Sequence, residues 1–462
     1  MSRRDRATVE SILLVVVLTG CGQTDSSAPP TAGSPAAAPK AAVSLVSVAQ
    51  PERTWEQKLG AVFTSVPDDL TVAVARLELP RLEGGHAIWG STGRDDRGSL
   101  WFGVSVHGTK SAYLLQYDPV QDQFTNRGDV VSQLRRCGVY RDGETQMKIH
   151  SKLYQADDGF LYFASMDETD EEDDGSRYPT WGGHLWRMNL DTYEWEHLLA
   201  TKEALIALAG AGRWIYALGY FNHVVYQHDT QTNQVRSREV GSVGGHISRN
   251  LIADARGHVY IPLVEDAPPG TPPSADQQPA LRTSLVELGT DLEPLHQTPV
   301  PHYHATADFE SHGIIAFTFL RDQSFVFSTH SGFVYRVRPP PDESAASVEE
   351  LGWFHPEGEA YAASLFTVDG ETLLVGQANK PYQPHQWIVY DLASRSSRLA
   401  EVAAGEELLA LPKLHQYGTH TRDNAGNCYC VGRIQGESGK DPVILRFTHS
   451  DSRPRPASGD PP

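Results

Sequence analysis

The chain has 462 residues, 40% of them apolar and 21% charged, with 40 Gly and 30 Pro, an ordinary globular composition that can bury a large core. Its 39 basic and 58 acidic side chains give a formal charge of −19, which opposes a phosphate backbone and argues against a nucleic-acid partner. The apolar run Ile12–Leu18 is far shorter than the roughly 20 residues of a bilayer-spanning helix, so a polytopic membrane protein is excluded.

In chain order, Arg3, Arg4 and Arg6 precede that run, and Thr19 and Gly20 lead to Cys21. A basic start, a short apolar run and small residues make an export leader. Leu18-Thr19-Gly20-Cys21 resembles the lipobox of bacterial lipoproteins. That resemblance implies removal of residues 1–20 as a signal peptide and lipidation of Cys21. It also implies a membrane anchor on the periplasmic or surface side of a bacterial cell envelope. Loss of the leader would leave the chain slightly more acidic. Residues 21–52 are rich in Ala, Pro and Ser and read as a flexible tether. Residues 53–71 form a short segment with a helical reading, expected to pack outside the main domain.

From residue 72 to residue 449 one unit recurs. A tight turn followed by an apolar or aromatic strand appears at Asp96-Arg97-Gly98, Asp158-Gly159, Gly212-Arg213, Asp254-Ala255-Arg256-Gly257, Asp322-Gln323, Asp369-Gly370 and Asn424-Ala425-Gly426. A third strand follows each copy. The spacing is that of four-stranded blades, so the fold class is all-β, a seven-bladed β-propeller after the lipoprotein signal and linker. Thr71–Leu79 is expected to supply the outer strand of the last blade and close the ring. Residues 450–462 are polar and Pro-rich and read as a disordered tail. Beyond Cys21, three cysteines remain: Cys137, Cys428 and Cys430. The last two share one strand face and read as buried, with a bridge to Cys137 left open.

The start of each innermost strand opens on the face that binding propellers use, an argument by fold analogy. There the sequence places His86, His150, His246, His312 and His415 in five repeats, with His420 slightly deeper. Ends of second strands add His107, Tyr220, His223 and His330 to the same face. Neutral imidazoles facing water can hydrogen-bond sugar hydroxyls, exchange protons near neutral pH or ligate a transition metal. Asp167–Asp174 holds seven acids in eight positions and reads as a solvated loop, since it lacks the Gly and Glu of a calcium loop. Along the sequence no Lys/Arg cluster offsets the acidic charge. Trp89, Tyr178, Trp181, Tyr220, Tyr361 and Tyr382 fall near strand starts or loops, where sugar rings stack.

Gly85-His86, nine intervening residues, Asp96-Arg97-Gly98 and a strand ending at His107 together resemble the BNR-type propeller of the ulvan lyase polysaccharide lyases. The resemblance implies β-elimination on a uronate-containing polysaccharide, with a Tyr or His taking the proton α to the carboxylate and Arg or His offsetting its charge. His86 and His107 match the two histidines. It covers one repeat and includes no matching Tyr–Arg motif, so His150, Tyr220 and Arg249 are the further catalytic candidates, with Lys152 named by location. His246, His312, His415, His420 and Tyr178 are the substrate-binding candidates.

Three readings follow. The first is a lipid-anchored propeller that binds a polysaccharide or oligosaccharide at a His-lined channel mouth and cleaves uronate chains as a polysaccharide lyase without a cofactor. The second is a non-catalytic module for a glycan or a protein partner. The third gives the channel histidines a metal ion. In each, contact with the membrane is through the lipid anchor alone.

Overall fold

The computed structural model describes residues 70–172, 175–243, 245–267, 281–305, 313–342, 344–418, 421–436 and 439–449. The leader, Cys21, the tether, the expected helix before residue 70 and the tail lie outside the described residues.

Each turn read in the sequence leads into a strand: Leu100–Val106, Phe160–Met166, Trp214–Tyr220, Val259–Asp266, Phe325–Ser328, Leu373–Asn379 and Cys428–Gln435. The turn aspartates explain the recurrence. Asp95 Oδ1 accepts from the Arg97 and Ser99 amides while its other oxygen accepts from Trp101 Nε1. Asp254 and Asp423 repeat this, capping two turn amides each and accepting from the hydroxyls of Tyr260 and Tyr429. One carboxylate thus fixes both the turn and the first aromatic side chain of the strand it feeds.

These second strands are buried on both faces, Leu100–Val106 along its whole length. Last strands such as Gln123–Asp129, Val235–Glu239 and Ser396–Leu399 are polar and largely exposed. A gradient from apolar inner strands to charged outer ones is what radial sheets require, and the charges blunt the exposed edges. The fold is an all-β propeller.

Its sheets differ from the expectation of seven separate blades. Five sheets of four or five strands stand apart, and residues 85–201 form a single nine-stranded sheet holding the first two repeats. The inner strands Thr92–Arg94 and Leu153–Gln155 pair in parallel, Gly93 against Leu153 and Arg94 against Tyr154. Glycine permits this: a Cβ at Gly93 would stand 1.9 Å from the Leu153 carbonyl oxygen.

The N-terminal strand Val72–Arg76 pairs antiparallel with Lys440–His449, Val72 opposite His449 and Arg76 opposite Leu445. It also pairs in parallel with Val402–Ala404. The last sheet is therefore completed by the first strand. A helix not read in the sequence, Val130–Arg136, leaves the first repeat; Asp129 caps the Ser132 amide at 3.0 Å, and Val130, Val131 and Leu134 are buried. Among the described residues no helix is long and apolar enough to cross a membrane. Cys137, Cys428 and Cys430 are free thiols, the last two in the core.

Candidate functional site at the channel mouth

The first inner strand begins at Gly85–Ala87 and pairs with the end of Leu100–Val106, which brings His86 beside His107 with ring centres 5.5 Å apart. Trp89, two residues past this strand, is the centre of the group. Its ring lies 4.7 Å from the Arg433 guanidinium and 5.1 Å from the Lys148 ammonium. The Tyr417 ring is 4.6 Å away, and the His150 ring lies 6.5 Å away and within 10° of parallel. Tyr417 ends the inner strand His415–Tyr417, in which His415 stands opposite Arg433 of the adjacent strand. Arg249 closes the group: its guanidinium sits 4.9 Å from the Tyr417 ring, and Nη1 lies 3.2 Å from His150 Nε2.

That last contact assigns a tautomer. A guanidinium only donates, so His150 Nε2 accepts, and Nδ1 carries the hydrogen donated to the Ile206 carbonyl at 3.0 Å. Burial, aided by Arg433, Lys440, His107 and Lys148, pulls the His86 pKa down to about 4. His415 is lowered by burial and then by Arg433 and Lys440. Burial pushes Tyr417 up to about 12, against the pull of Arg433 and Arg249. His86 is thus a neutral imidazole at pH 7, and Tyr417 keeps its proton.

The absence of a local basic cluster in the sequence does not carry over to the fold. Lys148, Arg249 and the Arg433–Lys440 hairpin come from three separate repeats and act on one small group of rings. In a chain of charge −19 this is a cluster of cationic and aromatic side chains, of the chemistry that can hold an anion, stack a sugar ring and exchange a proton.

Of the candidate residues, His86, His107, His150, Arg249 and His415 are brought together here. Tyr220 is not. It is buried, its hydroxyl 3.2 Å from Glu168 and 3.0 Å from Glu171, and burial with these carboxylates holds its pKa well above the ordinary value. A phenol so held does not serve as a base. His246 is buried with Nε2 2.8 Å from the Tyr303 hydroxyl, in a cluster with His223 and His304. Tyr178 accepts from Asn222 at 3.2 Å and carries Lys202 4.6 Å over its ring. Lys152 is buried, donating to the Gly90 carbonyl at 3.0 Å and the Gly418 carbonyl at 2.6 Å, where it ties inner strands together. Tyr382 is fully exposed. His312 and His420 lie outside the described residues.

Among the described residues, Asp254, His258 and Glu287 have metal-ligand spacing. Arg256 donates to Asp254 at 2.7 Å and to Glu287 at 2.6 Å, so the cation of that group is a guanidinium. The group belongs to the turn network and includes none of the channel histidines. The acidic stretch is also less solvated than expected: Asp167 is buried, accepting from the Thr145 hydroxyl and the Thr169 amide, and Glu168 is paired with Lys148.

Tyr417, Arg433, Lys148 and Lys440 do not stand out from the histidine pattern of the sequence. The available signals were Tyr417 two residues after His415, Lys148 two before His150, and Arg433 within the second strand of the same repeat as His415.

No known protein family matches the sequence. No curated protein is similar to it. Among solved structures, the chain is similar to the β-propeller domain of Myceliophteria thermophila Cps50 (Swd1), at 10% identity, TM-score 0.47, over 80% of this chain and 98% of that one. It is similar to YCF48 bound to D1 peptide, at 10% identity, TM-score 0.46, over 84% and 99%. A third is Saccharomyces cerevisiae Sqt1, at 11% identity, TM-score 0.43, over 82% and 87%.

Proposed function

We propose that the channel mouth binds a uronate-containing polysaccharide or oligosaccharide and cleaves it by β-elimination. The observation that carries this reading is the convergence of Arg433, Lys440, Lys148 and Arg249 on Trp89, Tyr417 and His86 in an otherwise acidic chain. The cations meet the ligand carboxylate, which makes the adjacent C–H more acidic, and the Trp89 ring offers a stacking face.

The remaining roles are part of the same proposal, and the protonation states are compatible with them. His86, neutral above pH 4, takes the proton α to the carboxylate. The electron pair forms the new carbon–carbon double bond, and the bond from the β carbon to the glycosidic oxygen breaks. Tyr417, protonated up to about pH 12, gives that oxygen its proton. In this reading His86, being neutral, is the base rather than a charge on the carboxylate, and His107 beside it is a hydrogen-bonding partner for substrate. His150 and Arg249 form the pair of imidazole and basic side chain that such a cleft needs.

The test is to incubate the full chain with a panel of uronate polysaccharides and follow the ultraviolet absorbance of the unsaturated product. A rise that vanishes in His86→Ala and persists in His246→Ala supports elimination at the mouth. A flat trace with binding that Arg433→Ala abolishes leaves a non-catalytic glycan-binding module. Absence of both activity and binding returns the weight to a protein partner. The lipid-anchored, envelope location is part of the same proposal and rests on Leu18–Cys21; a Cys21→Ser chain is expected to leave the membrane fraction.

A further inference from the structure

Lys148 belongs to the mouth, with its ammonium 5.1 Å over Trp89, yet it is already paired. Its partner is the Glu168 carboxylate, and both side chains are partly exposed. Glu168 is not held there by chance of a loose loop. The Lys148 backbone pairs with Met166 through bonds of 3.1 and 2.9 Å, which fixes the stem of the acidic stretch beside the mouth. Asp167 is buried and bonded to Thr145 and Thr169, and the Thr180 amide donates to the Thr169 carbonyl at 2.9 Å.

The Tyr220 hydroxyl lies within hydrogen-bond distance of both Glu168, at 3.2 Å, and Glu171, at 3.0 Å. A phenol has one proton to donate, so it serves one carboxylate at a time. Glu168 can therefore leave without stranding the buried hydroxyl, which retains Glu171. A partly exposed ion pair is also weak enough for a ligand to exchange.

We propose that Glu168 is a specificity-determining internal carboxylate, which occupies Lys148 in the free protein and yields it to an anionic ligand. The inference rests on the anionic-ligand reading of the mouth. Its consequence is a threshold: a ligand must bring enough negative charge to replace Glu168. A uronate oligomer, able to engage Arg433 and Lys440 while it displaces Glu168, is favoured over a single uronic acid.

The experiment compares the full chain with E168Q, and with E172Q as a control that removes a charge from the same stretch where it pairs with Arg177. Binding of galacturonic acid and of its trimer is measured by calorimetry at low and moderate salt. E168Q is expected to tighten binding by about three- to fivefold, the size of one partly exposed ion pair, with the larger relative gain for the monomer. E172Q is expected to match the parent. Amine labelling of Lys148, read by mass spectrometry, is expected to be faster in E168Q and slowed by the trimer. Equal affinity in parent and E168Q overturns the inference while the anionic-ligand reading stands. Binding by neither protein overturns both. Unchanged Lys148 labelling in E168Q also overturns the inference, whatever the affinities.

Discussion

His150 Nε2 accepts a hydrogen bond from Arg249 Nη1 at 3.2 Å, although the two residues are 99 positions apart in the chain. The imidazole is oriented from its other side by the Ile206 carbonyl, and the guanidinium lies over the Tyr417 ring. One arginine thus positions a histidine and a tyrosine from different repeats.

Replacing Arg249 is therefore expected to weaken uronate binding by about tenfold, the ~1.5 kcal/mol of one charge-assisted hydrogen bond. Arg249→Lys should restore little, because an ammonium cannot both lie flat on Tyr417 and reach His150. Calorimetric titration of the two variants checks this, and full recovery by lysine would count against the stacked, directional role.

Acid should destabilise the fold through its buried imidazoles. Burial pulls His197, His223, His304 and His385 down from 6.5 to about 4. Between those values the unfolded chain binds protons that the folded one refuses, so stability is full above pH 6.5 and falls as pH drops toward 4. Thermal midpoints at pH 7.5, 5.5 and 4.5 should decline in that order. His385→Gln is expected to flatten part of the decline.

Lys152 makes the opposite end of the pH scale informative. Burial lowers its pKa from 10.5 to about 7, so above pH 7 it is neutral in the fold but protonated in the unfolded chain until about 10.5. Its contribution to stability rises with pH across that window. Denaturation of the parent between pH 7 and 9 should show an upward component that Lys152→Met removes. The methionine would lose the bonds to Gly90 and Gly418 at every pH.

Gly93→Ala should cost about 2 kcal/mol or more, because its methyl group would meet the Leu153 carbonyl and force apart the parallel pair that joins the first two repeats. Urea denaturation measures the loss. A change below about 0.5 kcal/mol would mean that this pairing is dispensable.

The turns and the strands they feed were legible because their cause is local: Asp254 caps amides two and four residues ahead and reaches Tyr260 six ahead, all within one short window of sequence. The merger of two repeats was not, since it depends on Gly93 meeting Leu153 across a gap of 60 positions. At the mouth, His86 and His107 were readable from their spacing around a turn. The charge that makes the site was not, because Lys148, Arg249 and the Arg433–Lys440 hairpin lie in three distant parts of an acidic sequence and combine only when the ring forms. Tyr220 was assigned to the mouth by its place at a strand end. The fold turns it instead toward Glu168 and Glu171, neighbours that strand position alone does not specify.

Completion of the last sheet by Val72–Arg76 sets an order of events in synthesis. The earliest-made strand of the propeller has its antiparallel partner in Lys440–His449, so it emerges with no mate and must wait for nearly the whole domain. Until then its edge is open to any other strand in the vicinity. A truncation that removes residues 440–449 would leave that early strand with only its short parallel contact to Val402–Ala404 and one edge open, and should yield an aggregating chain rather than a smaller ring.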